Sequence, residues 1–279
     1  YVKSTSDSKL LLKEVSDIRL VDRLELAFKV PPARQDNDIV NTNLSFRGVD
    51  FGFRDAIEIT GDLSFASILK YRAANELAEM FQQLGNKEKV KKYHQIALRI
   101  KQALPLIFLN KDGMLLASTG ISAQPDVWAT AFAINLQLLE GDNLLKACQH
   151  LASAYKNGTL SFKGNIRHIL TSDDYSDKTA WESAIVEKNQ YQNGAYWGTP
   201  LGWVAFAISR VDSISARQLV KEYINDLREN DFRKGSKFGA PLECFYPPAY
   251  TRGPVYLATV SCPYIAFKSL QPVQKLKKF

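Results

Sequence analysis

The chain has 279 residues, 46% of them apolar and 23% charged, with a formal net charge of +7. That balance describes a globular chain, long enough for one large domain or two ordinary ones, and excludes a disordered or fibrous one. The basic residues are scattered: the densest run, Lys87 to Lys101, lies on one amphipathic helix, and Lys275, Lys277 and Lys278 form a tail. Basic patches interleaved with exposed aromatics are absent, so no nucleic-acid partner is expected. No stretch reaches the roughly 18 apolar residues of a membrane span, so no membrane partner is expected either. Cys148, Cys244 and Cys262 show no metal-ligand spacing, and His94, His150 and His168 are dispersed. Neither a metal nor a cofactor is expected. The sequence begins at Tyr1 rather than Met, and a periplasmic or secreted location is expected over a cytoplasmic one.

In chain order, residues 8–28 carry leucines and valines among charges and predict a helix with a broad apolar stripe, stopped by Pro31-Pro32. A polar loop follows, rich in Asn and Asp. Gly61-Asp62 predicts the start of a second helix, with Asp62 as N-cap and Phe65, Ile68, Leu77 and Phe81 on its stripe. A third helix, 87–104, is charged on one side, and Lys111-Asp112-Gly113 is a turn. Pro125 opens a helix apolar on almost every side, to about 139, and a mixed helix follows at about 143–155. Residues 156–196 read as a long loop. Thr199 is the expected N-cap, with Pro200 in the first turn, of a helix again apolar all round, 200–210. Ser215 to Gln218 is a capping-box pattern opening a charged helix to about 229. A second loop, 230–250, leads to a last apolar helix at about 254–269.

One-face helices thus alternate with helices apolar on all sides. A helix buried all round needs neighbours all round, whereas a one-face helix needs a single layer beneath it. The alternation predicts two concentric layers: an all-α fold, an α/α toroid of helical hairpins, as a single domain over 1–279 with few strands. In such a fold, successive inner helices run the same way, and the loops leading into them gather at one face. Those loops are 33–61, 110–125, 156–199 and 230–253.

These loops hold the residues suited to chemistry. The run Asn189-Gln190-Tyr191-Gln192-Asn193-Gly194-Ala195-Tyr196-Trp197 packs amides and aromatics together. Rings stack on the CH faces of sugars and amides meet hydroxyl edges, so the run suits a carbohydrate; it would equally plug a helix end. Trp181 and Trp197 are expected to face a cleft and Trp203 to fill core. Arg167 could clamp an acidic sugar or form a surface salt bridge.

Phe51-Gly52-Phe53-Arg54-Asp55 with Ile59-Thr60-Gly61-Asp62, Pro125-Asp126-Val127-Trp128, the Tyr191–Trp197 run and Pro241-Leu242-Glu243-Cys244 together resemble the bacterial six-hairpin glycosidases, the (α/α)6-barrel proteins that include rhamnosidase-like and glucoamylase-like hydrolases. The resemblance covers the chain from about residue 46 onward. The helices counted fall short of six hairpins, which implies a C-terminal portion of a larger barrel, completed by a missing N-terminal part or another subunit.

The resemblance implies a glycoside hydrolase, of inverting type, acting on an oligosaccharide or polysaccharide fragment through paired carboxyl groups. It points to Asp55 or Asp50 as the acid and Glu243 as the base, with Glu182 the competitor for either role. Arg47, Asp50, Phe53, Asp126, Trp128, Trp181, Tyr191, Gln192, Asn193, Tyr196 and Trp197 are the expected substrate contacts. Glu243 could instead pair structurally with Arg252, and Asp55 with Arg47 or Arg54. Two other readings remain: a toroid that binds glycans or a protein without catalysis, and an epimerase or lyase working through His168 and Tyr191 or Tyr196.

Overall fold

The computed structural model describes residues 1–43, 54–234 and 239–269, with the side chains of 232 and 269 excepted. The expected contacts Arg47, Asp50 and Phe53 lie outside the described residues, as does the basic tail. Nine α-helices are described: α1 (Val2–Thr5), α2 (Leu20–Phe28), α3 (Ser64–Gln83), α4 (Lys87–Phe108), α5 (Val127–Asn135), α6 (Gly141–Lys156), α7 (Leu201–Ser209), α8 (Ser213–Glu229) and α9 (Leu257–Ser269).

The two-layer expectation describes how they pack. Helices α3, α5, α7 and α9 sit side by side as an inner row, with α4, α6 and α8 behind them. Every residue of α5 from Val127 to Ile134 is buried, and α7 buries Leu201, Gly202, Val204, Ala205, Ala207 and Ile208. Helices α4, α6 and α8 bury one stripe each, as charged helices backed by a single layer must. Gly202 lets α7 and α9 meet, because a β-carbon there would collide with that of Ala266. The described helices form an arc of hairpins.

The arc departs from expectation at both ends. Residues 8–28 are not one helix: a 3₁₀ turn, Ser8–Leu12, and a small hairpin pairing Glu14–Val15 with Ile18–Arg19 come before α2. Ser16 and Asp17 take positive φ, 49° and 61°, and so turn the chain where the apolar period suggested continuity. Helix α9, apolar in sequence, is not buried all round, for Leu257, Tyr264 and Ile265 are each at least 60% exposed. It has inner-row packing on one side only.

The largest correction is to the all-α class. The two long loops are interrupted by strands. They build a five-stranded antiparallel meander: β1 (Ser161–Phe162), β2 (Asn165–Arg167), β3 (Tyr196–Trp197), β4 (Leu242–Tyr246) and β5 (Tyr250–Pro254), neighbours in that order. Phe245 pairs with Tyr196, and Tyr196 with Arg167, so residues far apart in sequence share one rung. The fold is a helical arc carrying a sheet at one end. No helix among the described residues is long and apolar enough to cross a membrane.

Several caps also differ from expectation. Asp62 pairs with Asn41 in a two-residue strand and binds Arg34, while α3 starts after Leu63. Pro200, not Thr199, precedes α7, and the buried Thr199 hydroxyl has no hydrogen-bond partner among the described residues. Asp212 caps α8 by accepting from the Ser215 amide, so Ser215 is the capped residue rather than the cap.

Candidate active site

The segments leading into α3, α5, α7 and α9 are stitched together at one end of the arc. The Thr119 amide donates to the Asp62 carbonyl, joining the first to the second. The second meets the third where the Gln124 side chain donates to the Ala180 carbonyl. The first also meets the third where the Ala56 amide donates to Gln192 Oε1, at 2.9 Å. The third meets the fourth along the β3–β4 pairing. Tyr191 completes the set.

The Tyr191 hydroxyl donates to Asp55 Oδ2 at 2.9 Å and lies 3.3 Å from Glu243 Oε1. Because both carboxylate oxygens lie beside one phenolic oxygen, they are no farther apart than about 6 Å, the scale on which paired carboxyl groups of glycosidases work. A phenol carries a single proton, so it serves only one carboxylate at a time. Asp55 is exposed and the Glu243 side chain is 14% exposed, so the pair reaches solvent from a half-buried seat.

Two further features fix the trio. Arg252 places its guanidinium 3.9 Å above the Tyr191 ring, with Nε 3.5 Å from Glu243 Oε2. The pairing of Glu243 with Arg252 is therefore present, alongside the approach to Asp55 rather than in place of it. Gly253, with φ of +59°, admits the Glu243 side chain, since a β-carbon there would sit 2.6 Å from Glu243 Cβ. Burial, then the hydrogen bond to Asp55 and the charge of Glu243, hold the Tyr191 phenol well above the usual tyrosine range. In this arrangement the Tyr191 hydroxyl is a hydrogen-bond donor.

The other expected residues are placed differently. Glu182 Oε2 accepts from the Ser122 amide at 2.8 Å, while the Glu182 amide donates to Ser122 Oγ, a loop clip. Gln192 and Asn193 are 2% and 1% exposed, and Gln192 Oε1 is taken by the Ala56 amide. Asn193 Oδ1 accepts from Thr179 and Ala180, and its amide donates to Val186. Arg167 has no exposed surface and binds Asp174, Asn189 and two carbonyls, a buried junction rather than a surface bridge.

The tryptophans reverse the expectation. Trp128, Trp181 and Trp197 are each 1% exposed, while Trp203 is the half-buried one. Trp128 stacks on His168 at 4.3 Å and meets Trp197 edge-on, and His168 in turn meets Trp181. The Asp126 carboxylate, 2% exposed, accepts from the Ala129 amide and lies 3.2 Å from His168 Nε2. Asp126 thus caps α5 and anchors His168. The rings plug the ends of the inner helices, and Asp126, His168 and Trp181 line a cavity of only about 10 Å³ beside Arg54 and Phe65, room for about one water.

Sequence reasoning passed over Arg252 as a partner of Tyr191. Its spacing from Glu243 across a hairpin was the available signal, and it required knowing that 242–254 forms one. Among the described residues, no group of three or more His, Cys, Asp or Glu side chains is arranged to hold a metal ion.

No protein-family model matches the sequence, and no curated protein matches it. Among solved structures, the fold is similar to one named "Sialidase", with TM-score 0.55 and 11% identity over 81% of this chain. This chain spans 21% of that protein's length. A GH63 mannosylglycerate hydrolase from Thermus thermophilus, in complex with Tris and D-glycerate, aligns with 74% of this chain and 45% of its own, at 13% identity and TM-score 0.49. At such identities, the likeness to the first is one of fold.

Proposed function

We propose that this chain carries the carboxylate pair of a glycoside hydrolase, with Asp55 as general acid and Glu243 as general base. The observation that carries the reading is the Tyr191 hydroxyl held between the two, 2.9 Å from one and 3.3 Å from the other. Two acid side chains from loops far apart in sequence converge on one hydroxyl, in a half-open position, with a countercharge from Arg252 beside Glu243. Hydrolysis of a glycoside needs this complement: one carboxyl to protonate the leaving oxygen and one to activate water. The phenol keeps the carboxylates from closing on each other and reserves between them the space of a hydroxyl. The facing oxygens are at most about 6 Å apart, closer than the roughly 6.5–9.5 Å of inverting pairs and nearer the roughly 5–5.5 Å of retaining ones, so inversion is not part of the proposal.

The substrate is an oligosaccharide or polysaccharide fragment. The test is turnover of a panel of aryl glycosides by the complete protein. Asp55→Asn and Glu243→Gln should each lower kcat/KM for the best substrate by about 10²–10⁴-fold, the usual worth of a general acid or base, with the thermal transition little changed. Unchanged turnover in both variants sinks the assignment. NMR of the first-formed anomer decides the stereochemical course. Sugar affinity with no hydrolysis by the wild type would favour a glycan-binding toroid.

A further inference from the structure

A second concavity lies where the sheet meets the C-terminal end of α8, and it is distinct in its lining from the carboxylate pair. Its volume is about 300 Å³, at the small end of ligand pockets. One wall is aromatic. The Phe162 ring lies 5.9 Å from Tyr196 and 6.1 Å from Phe245, and Tyr196 stacks on Tyr246 at 5.5 Å with the planes 13° apart. Phe162 and Tyr246 retain exposed surface. Tyr196, expected to touch substrate near the pair, serves as the buried backing of this wall at 6% exposure.

The floor is polar. Asp226 is 9% exposed, and it accepts from the Asn165 amide at 3.2 Å and the Asn230 amide at 3.1 Å. Lys163 Nζ stands 3.8 Å from the same carboxylate, a distance that leaves room for a ligand hydroxyl to share it. Each carboxylate oxygen has two acceptor positions, so one amide apiece leaves capacity for incoming donors. Flat apolar faces on one side and a carboxylate framed by two carboxamides on the other match the two aspects of a pyranose, its CH face and its hydroxyl edge.

We propose that this pocket binds a neutral pyranosyl unit of a glycan, stacked on the Phe162 and Tyr246 wall with its hydroxyls donating to Asp226. Proline-rich segments also settle on aromatic grooves. They bring carbonyl acceptors, which Lys163 could meet, but no donors for the Asp226 carboxylate. A cationic ligand would have to displace Lys163. The proposal does not rest on the catalytic reading: it needs no hydrolysis, and the Asp55 and Glu243 side chains do not line the pocket.

The experiment uses the complete protein carrying Asp55→Asn and Glu243→Gln, so that oligosaccharides survive. The probes are the neutral hexaoses of α-1,4-glucan, β-1,4-glucan, β-1,4-mannan and β-1,4-xylan, with decaproline as the competing ligand. At least one hexaose should give saturation-transfer signals and shift the backbone amides of Lys163 and Thr251. Phe162→Ala with Tyr246→Ala should weaken that binding about tenfold or more, about 1.4 kcal/mol. The amide shifts of the unsubstituted wall locate the site even if that variant folds poorly. Three results overturn the proposal: no hexaose binding, sugar-induced shifts confined to the neighbours of Asp55 and Tyr191, or decaproline moving the pocket amides while the hexaoses do not. Failure of the catalytic reading would show instead as unaltered turnover in the single variants, and leaves this binding untouched.

Discussion

Two clusters of rings and ionisable groups are drawn from the segments that lead into the inner helices, sharing the third of them, and they have opposite characters. One is Asp126, His168 and the tryptophans 128, 181 and 197, sealed to within 3% exposure. The other is Asp55, Tyr191, Glu243 and Arg252, half open. Their compositions are alike, which is why both suggested a sugar site. They differ in access to solvent. In the sealed cluster the Asp126 carboxylate is divided between an amide and an imidazole, and every large ring has another ring against it, while the second imidazole nitrogen, Nδ1 of His168, is buried with no hydrogen-bond partner among the described residues. In the open cluster two carboxylates share one phenolic proton and face solvent. A polar group sealed from water supports the fold, whereas one at a half-exposed position can meet a ligand.

The comparison breaks most severely at Trp128. Trp128→Ala should destabilise the chain by about 3–5 kcal/mol through the cavity it leaves, read by denaturant unfolding, and should lower activity only in step with the folded fraction. A specific loss of activity with unchanged stability would mean that the sealed cluster touches substrate after all. Tyr191→Phe should do the reverse. It removes one hydrogen bond, worth about 0.5–1.5 kcal/mol, so stability should barely move, while the pH profile of kcat/KM should change shape as the two carboxylates lose their common donor. If that profile is unaltered, the phenol is only packing.

The smallest effect is confined to alkaline pH. The Tyr191 phenol is raised in the folded chain by burial, then by Asp55. Its contribution to stability is therefore fully present below the unfolded value of about 10 and is lost as pH climbs beyond it. Unfolding free energies of the parent and Tyr191→Phe should run parallel from neutral pH to about 9, and the parent should fall more steeply above about 10. Parallel curves throughout would contradict the burial assigned to this hydroxyl.

Much of the arc was legible. Helices α4, α6 and α8 announce themselves by one-sided charge, and α5 and α7 by its absence, because an amphipathic period records how many neighbours a rod has. The convergence of the leading loops followed from that alternation. The sheet did not, because three of its strands have two or three residues, too few for any alternation to show. What defines β1 to β3 is pairing at a distance, as between Arg167 and Tyr196, and pairing partners leave no mark on local sequence. Asp55, Tyr191 and Glu243 were all singled out as residues, yet their meeting was not, for the same reason. The tryptophans misled because a large ring beside glycines suits a helix plug as well as a platform, and only solvent exposure separates the two.

The hydroxyl of Tyr191 lies 136 residues from Asp55 and 52 from Glu243 along the polypeptide. Closing contacts of that span is slow relative to forming a local hairpin, since the intervening chain must first be gathered. An early, partly gathered form with α3 and α4 already zipped together would still lack any juxtaposition of the two acids. Catalytic competence, on the proposed reading, is thus a property acquired only at the last stage of assembly, and recovered turnover would time the completion of the whole architecture rather than the birth of its helices.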